Sequence, residues 1–179
     1  MNKKEIERLL KESGGISLDI GCGEHKQPTF VGMDIRAVDG VDIVHDFEEF
    51  PWPLPDESCI RAMASHVIEH INPAKFGMIN FMNEVWRVLK YGCQFWISVP
   101  YAGSKGYWQD PTHINGCNEA TWAYFDPLAI SAYDQPGSFG TLYGIYKPKP
   151  WRIDTLNWDV PGNMEVVLEK RREDRSYVG

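Results

Sequence analysis

The chain is built from short apolar runs that break off at a glycine, an acid or a histidine, and this punctuation restricts its fold more than any other feature. Ile16, Leu18 and Ile20 alternate with Ser17 and Asp19 and run into Gly21-Cys22-Gly23. Phe30 to Ile35 carries Asp34 near its end, and Val41 to Val44 is followed by His45-Asp46-Phe47. Cys59 to Ser65 leads into His66, and Gln94 to Val99 into Pro100-Tyr101. Alternating runs of this length read as strands and the glycine cluster as a tight turn. Between the fourth and fifth runs, Phe76, Ile79, Met82, Val85, Trp86 and Leu89 recur at helical steps. The spacing predicts an amphipathic helix over Pro73 to Lys90, opened by Asn72-Pro73 and closed by Gly92. Residues 3–12 predict a short amphipathic helix, and Asn118 to Phe125 a further one. Arg152 to Trp158 and Glu165 to Lys170 predict a hairpin through Val160-Pro161-Gly162-Asn163. Strands interleaved in this way argue an α/β chain with a mostly parallel sheet and a C-terminal antiparallel strand pair. Ligands of such sheets lie beyond the carboxyl ends of the strands, which is where every unusual glycine or polar cluster falls.

Length and charge limit the partners. At 179 residues the chain reads as one domain, 1–179, with an N-terminal helix at 1–13 and an insertion at 101–150. Lys and Arg number 18 against 25 Asp and Glu, a net charge of −7. A protein gripping nucleic-acid backbone needs a basic surplus to neutralise phosphates, so that partner is disfavoured. Cys22, Cys59, Cys93 and Cys117 form no C-x-x-C pair and give no disulfide framework. The N-terminus lacks the apolar core of a signal peptide, and no apolar run approaches the about 20 residues that cross a bilayer. These features point to a soluble, cytoplasmic protein with no membrane partner.

Leu18-Asp19-Ile20-Gly21-Cys22-Gly23 resembles motif I of the class I, seven-stranded S-adenosylmethionine-dependent methyltransferases. The resemblance continues in order through Val31 to Asp34, His45-Asp46-Phe47, Ser65 to His70 and Glu84 to Lys90, and covers about residues 16–100. It is most similar to methyltransferase-11-type domains. The resemblance implies a Rossmann-like sheet and S-adenosyl-L-methionine as cofactor. It places Asp19, Gly21, Cys22, Gly23, Asp34, Ile35, Asp46, Phe47, Ser65 and His66 at that cofactor. Asp34 would accept from the ribose hydroxyls, Asp46 from the adenine amino group with Phe47 beside it, and Asp19 from the ammonium. A glycine at 21 and 23 lets backbone pass beneath a ligand where a Cβ would clash. The chain departs from the pattern in two respects, one of them Lys90-Tyr91-Gly92-Cys93 where the family usually has a K-P-G-G turn. Only Glu24 to Thr29 separate the glycine turn from Phe30, against the dozen or more residues of a parallel crossover. The first crossover is therefore shortened.

Beyond the fifth run the family builds its acceptor site. Tyr101, Tyr107 and Trp108 are the candidate substrate contacts, and His113 with Asp110 the candidate acid/base pair. Residues 101–117 hold small and glycine residues at their start and read as a cover over a small-molecule acceptor. The activity implied is methyl transfer to an O or N nucleophile. The alternative is a cofactor-binding regulatory module without catalysis, which the short crossover favours. A nicotinamide oxidoreductase is opposed by the missing third glycine. His66-Val67-Ile68-Glu69-His70 matches H-x-x-E-H, a zinc-peptidase pattern. That chemistry needs both histidines on one helical face and a third ligand. Helix start signals after the motif argue against it, so no metal is expected, and His70 is expected to serve as a structural hydrogen-bonding group.

Overall fold

The computed structural model describes residues 1–129, 145–158 and 162–174. Its centre is a seven-stranded sheet in the order β3-β2-β1-β4-β5-β7-β6. The strands are β1 (Ile16–Ile20), β2 (Val31–Asp34), β3 (Ile43–Val44), β4 (Cys59–Ser65), β5 (Leu89–Pro100), β6 (Trp151–Trp158) and β7 (Asn163–Lys170). β1 to β5 run parallel, and β7 runs antiparallel to both of its neighbours. The expected α/β sheet with an antiparallel terminal pair is present. Chain order reverses between β1 and β4, which makes the space beyond their carboxyl ends the topological switch point.

Helix α1 (Lys3–Ser13) is fixed by a capping box. Asn2 accepts from the Glu5 N–H at 3.1 Å while the Glu5 carboxylate accepts from the Asn2 N–H at 2.6 Å. Helix α2 (Gly77–Val88) is shorter than the predicted 73–90 span at both ends. Lys75 and Phe76 adopt left-handed backbone, so Ala74–Phe76 forms only a separate 3-10 turn before the helix. Gly77 then starts the helix against Asn72, where an added Cβ would stand 1.9 Å from the carbonyl oxygen. At the other end Leu89 already pairs with Cys59, so Lys90 to Gly92 belong to β5 and not to a helix cap. Two short helices follow β5: α3 (Lys105–Trp108) and α4 (Glu119–Ala123), the latter capped by Asn118.

The connections β1–β2, β2–β3 and β3–β4 contain no helix, so the shortened first crossover is a run of turns. The proline-rich loop before β4 is held to α2 by Arg87. Its guanidinium reaches Glu84 at 2.6 Å, Asp56 at 2.6 Å and the Leu54 carbonyl at 2.9 Å, while Glu84 also accepts from the Trp52 N–H at 2.6 Å. α2 packs on one face of the sheet, where Phe81 meets Phe95. On that face Ala62, Phe95, Val99, Met164 and Leu168 are fully buried. The opposite face over β4 and β5 carries Trp96, with the Arg61 guanidinium 4.5 Å above its ring, and stays open among the described residues. The described residues include no helix long and apolar enough to cross a membrane.

Candidate cofactor and acceptor site

β1 leaves the sheet through Gly21, whose φ of 67° is a left-handed conformation. Its N–H donates to the Met33 carbonyl at 2.7 Å, which ties the turn to β2. A side chain here is excluded twice: a Cβ would strain the backbone and would lie 2.4 Å from Val67 Cγ2. The Gly23 N–H donates to Asp34 Oδ2 at 2.9 Å. Asp34 is buried, and its other oxygen accepts from the Arg36 N–H at 2.9 Å. Asp34 thus pins the glycine turn to the end of β2 and holds Arg36 at the rim.

Asp19 is also buried and accepts from the Gln27 N–H at 2.8 Å. Burial pushes its carboxyl above the ordinary value, against the opposing effects of that N–H and of Lys26. The Cys22 thiol is pushed up to about 11 by burial and by the charges of Asp19 and Asp34. It is a protonated packing group, not a nucleophile.

Beside the glycine turn lies an open cleft of about 510 Å³, within the about 300–1,000 Å³ usual for small-ligand sites. Asp19, Gly21, Cys22, Gly23 and Ser65 from the sequence reading lie on its wall. So do Glu24, His25, Gln27, Arg36 and Met63, which sequence reasoning missed. Gln27 and Arg36 reach the wall through backbone bonds to Asp19 and Asp34, and no motif marks them. Ile35 is exposed beyond Asp34. Asp46 accepts from the Glu48 N–H at 2.9 Å in its own turn. The Phe47 ring turns inward against Phe81, and its carbonyl accepts from Trp52 Nε1 at 3.0 Å. Asp34, Ile35, Asp46, Phe47 and His66 are not on the cleft wall.

The second cluster lies beyond β4 and β5. His66 has left-handed backbone, and its N–H donates to the Ser98 carbonyl at 2.8 Å. Its Nδ1 meets Glu69 Oε1 at 3.1 Å, and this hydrogen bond raises the imidazole above its ordinary value against partial burial. Glu69 lies in a 3-10 turn, Ile68–His70, at 1% exposure. The chain returns to this turn after β5. The Ile114 and Asn115 N–H groups both donate to the Glu69 carbonyl, at 2.9 and 3.0 Å. Asn115 Nδ2 donates to the Ile68 carbonyl at 3.1 Å. This docking sets His113 against His70, ring centroids 4.9 Å apart.

His113 Nδ1 bonds the Tyr107 carbonyl at 2.8 Å, and its Nε2 stands 3.8 Å from Asp110 Oδ2, too long for a hydrogen bond. Two hydrogen bonds from Thr112 hold the exposed Asp110 carboxyl below its ordinary value. Tyr107 is buried against His113, whereas Trp108 is 76% exposed. Tyr101 stacks on Trp158 at 6.0 Å. The expected cover at 101–117 is therefore anchored by main-chain bonds to the Glu69 turn, and it opens with a Tyr101–Cys117 bridge. Of the wider insertion expected at 101–150, residues 130–144 lie outside the described residues.

The chain matches no known protein-family model and no curated protein. Solved structures match it along nearly its whole length. A SAM dependent methyltransferase from Archaeoglobus fulgidus aligns at TM-score 0.56 and 18% identity, over 94% of this chain and 92% of that one. The chain has the fold of the class I S-adenosylmethionine-dependent methyltransferases. A mutant 16S rRNA (adenine(1408)-N(1))-methyltransferase from Catenulisporales acidiphilia, solved with cosubstrate SAM, aligns at TM-score 0.60 and 12% identity, over 97% and 93%. A SAM dependent methyltransferase from Aquifex aeolicus aligns at 0.53 and 13%, over 92% and 88%. The methyltransferase fold is thus kept here with three crossovers reduced to loops.

Proposed function

We propose that the protein transfers the methyl group of S-adenosylmethionine to an O or N nucleophile of a small or medium-sized acceptor. The observation that carries this reading is the glycine turn at the switch point, pinned to β2 by Met33 and Asp34 with the buried Asp19 carboxyl on the cleft wall. Acids at the ends of β1 and β2 and just beyond β3 suit the cofactor's polar groups, and of these Asp19 lies on the cleft wall. Asp19 would take the ammonium, Asp34 would use its remaining lone pairs for the ribose hydroxyls, and Asp46 would meet the adenine from the end of β3. Ser65 would flank the methionine half. When bound, the cofactor supplies an electrophilic methyl on a sulfonium.

The protein's own contribution is alignment and exclusion of water. The turn fixes the donor side, and the docked segment 101–117 with Tyr107, Trp108, Asp110 and His113 forms the acceptor side. A net charge of −7 favours a neutral or cationic acceptor over a polyanion. The reduced crossovers favour one rival, a cofactor-binding module without turnover. Native mass spectrometry of the protein incubated with S-adenosylmethionine, its demethylated product or NADH tests the reading. A one-to-one adduct with either of the first two supports it, and an adduct with NADH alone overturns it. Release of demethylated product from S-adenosylmethionine in the presence of phenol or amine acceptors separates the enzyme from the silent module.

A further inference from the structure

Glu69, His70 and His113 meet in a way that the cofactor site does not explain. One potential donor atom of each lies within 4.8 Å of those of the other two. Each side chain is also held at one polar atom, which leaves its second free to bind a cation. Glu69 Oε1 is bonded to His66 Nδ1, and His113 Nδ1 lies 2.8 Å from the Tyr107 carbonyl. His70 Nδ1 lies 3.1 Å from Thr112 Oγ1, whose own hydrogen goes to Asp110, and 3.2 Å from the Thr112 carbonyl. An imidazole that donates Nδ1–H to a carbonyl keeps a lone pair on Nε2, which is the tautomer a metal ligand requires. The carboxylate is 99% buried, yet Glu69 Oε2 has no hydrogen-bond partner among the described residues. A buried carboxylate oxygen without a partner carries a desolvation cost that a cation would offset.

We propose that Glu69, His70 and His113 form a site for a divalent cation of the zinc class, with Glu69 and the two imidazoles as ligands and one position left open. Two nitrogens and one carboxylate oxygen suit zinc and the borderline transition metals better than calcium or magnesium, which take oxygen ligands. Bonds of about 2.0–2.1 Å in a tetrahedron put donor atoms about 3.3 Å apart, a separation within the 4.8 Å span that holds the three. Three protein ligands with a free fourth position is the pattern of a catalytic rather than a structural site. Thiols do not compete. Cys117, buried nearby, is not among the side chains whose donor atoms converge. The proposal departs from the expectation of no metal. That expectation paired His66 with His70 along the chain, whereas the fold pairs His70 with His113 and leaves His66 as the group that orients Glu69. Under the methyltransferase reading the open position faces the acceptor end, where a cation would favour ionisation of an acceptor hydroxyl. The site itself does not depend on that reading.

The test is calorimetric titration of the metal-stripped, untagged full chain with zinc, paired with the absorption spectrum of the cobalt form. The proposal expects one zinc per chain and cobalt bands of a nitrogen and oxygen site without thiolate charge transfer. His113→Ala and His70→Ala each weaken zinc by about 100-fold or more, while His66→Ala, which removes only an orienting group, weakens it by about 10-fold. Circular dichroism and cofactor binding check that each variant is folded. No stoichiometric zinc on the wild-type chain overturns the site. So does a thiolate band, or a greater loss from His66→Ala than from His113→Ala. Cofactor binding without zinc rejects the metal site alone, and zinc without cofactor binding rejects the methyltransferase reading alone.

Discussion

The two ends of the candidate site are organised differently. At the donor end, contacts are local: Gly21, Gly23, Asp34 and Arg36 are close in sequence and tied by backbone bonds between β1 and β2. At the acceptor end, the elements come from far apart in the chain. The turn after β4 is completed by the segment after β5, through Glu69 to Ile114 and Asn115 and through His70 to Thr112. The donor end has a buried acid on the cleft wall, and the acceptor end a buried acid under two imidazoles. Val67 joins them, since it packs against Gly21 and precedes the Glu69 turn. The β1–β2 end is thus shaped by backbone contacts between neighbouring strands, and the end beyond β4 and β5 by side chains brought together from distant segments.

That division predicts separable defects. The largest is expected from His113→Ala, which removes an acceptor-end group. Turnover should fall about 100-fold or more, as is usual when a group assisting proton removal is lost. The dissociation constant for the cofactor should stay at the wild-type value. Equal losses in both would break the comparison. Next comes Asp34→Ala, which frees the Gly23 and Arg36 N–H groups and removes the ribose acceptor. A charged hydrogen bond is worth about 1.5–3 kcal/mol, so cofactor affinity should fall about 10- to 150-fold. Zinc affinity should not change, and isothermal titration of both ligands on the one variant checks this.

A smaller effect is expected from pH. Burial raises the Asp19 carboxyl, and the cofactor's ammonium needs it ionised. Affinity should therefore climb as pH rises through that raised value and then level off, with Asp19→Asn giving a flat, weaker profile. Stability of the free protein runs the other way. The folded-state value exceeds the ordinary 3.8, so the contribution of Asp19 is present below 3.8 and is lost as pH rises through the folded-state value. A urea midpoint profile of wild type against Asp19→Asn reads this sign directly.

Local features of the sequence predicted the strands and the glycine turn well, and the long-range packing beyond β4 and β5 poorly. The alternation in Cys59 to Ser65 and the Gly21-Cys22-Gly23 turn reproduce β4 and the end of β1, because each is decided by neighbours in sequence. The long helix shortens because residues far from it decide its ends. Asn72 leaves no space before Gly77, and Cys59 draws Leu89 into the sheet. Arg36 escapes because its place at the cleft depends on Asp34 reaching across to Gly23. The meeting of His70 with His113 escapes for the same reason: the two come together across two strand ends, and H-x-x-E-H spacing carries no trace of that encounter.

The glycine turn between β1 and β2 is the proposed cofactor site, and binding of the demethylated product probes it without the acceptor. Calorimetric titration of the full chain with the demethylated cofactor product should give one site per chain in the micromolar range, about −7 to −9 kcal/mol. A folded protein that shows no heat with the product or the cofactor at millimolar concentration, while binding NADH, would contradict it.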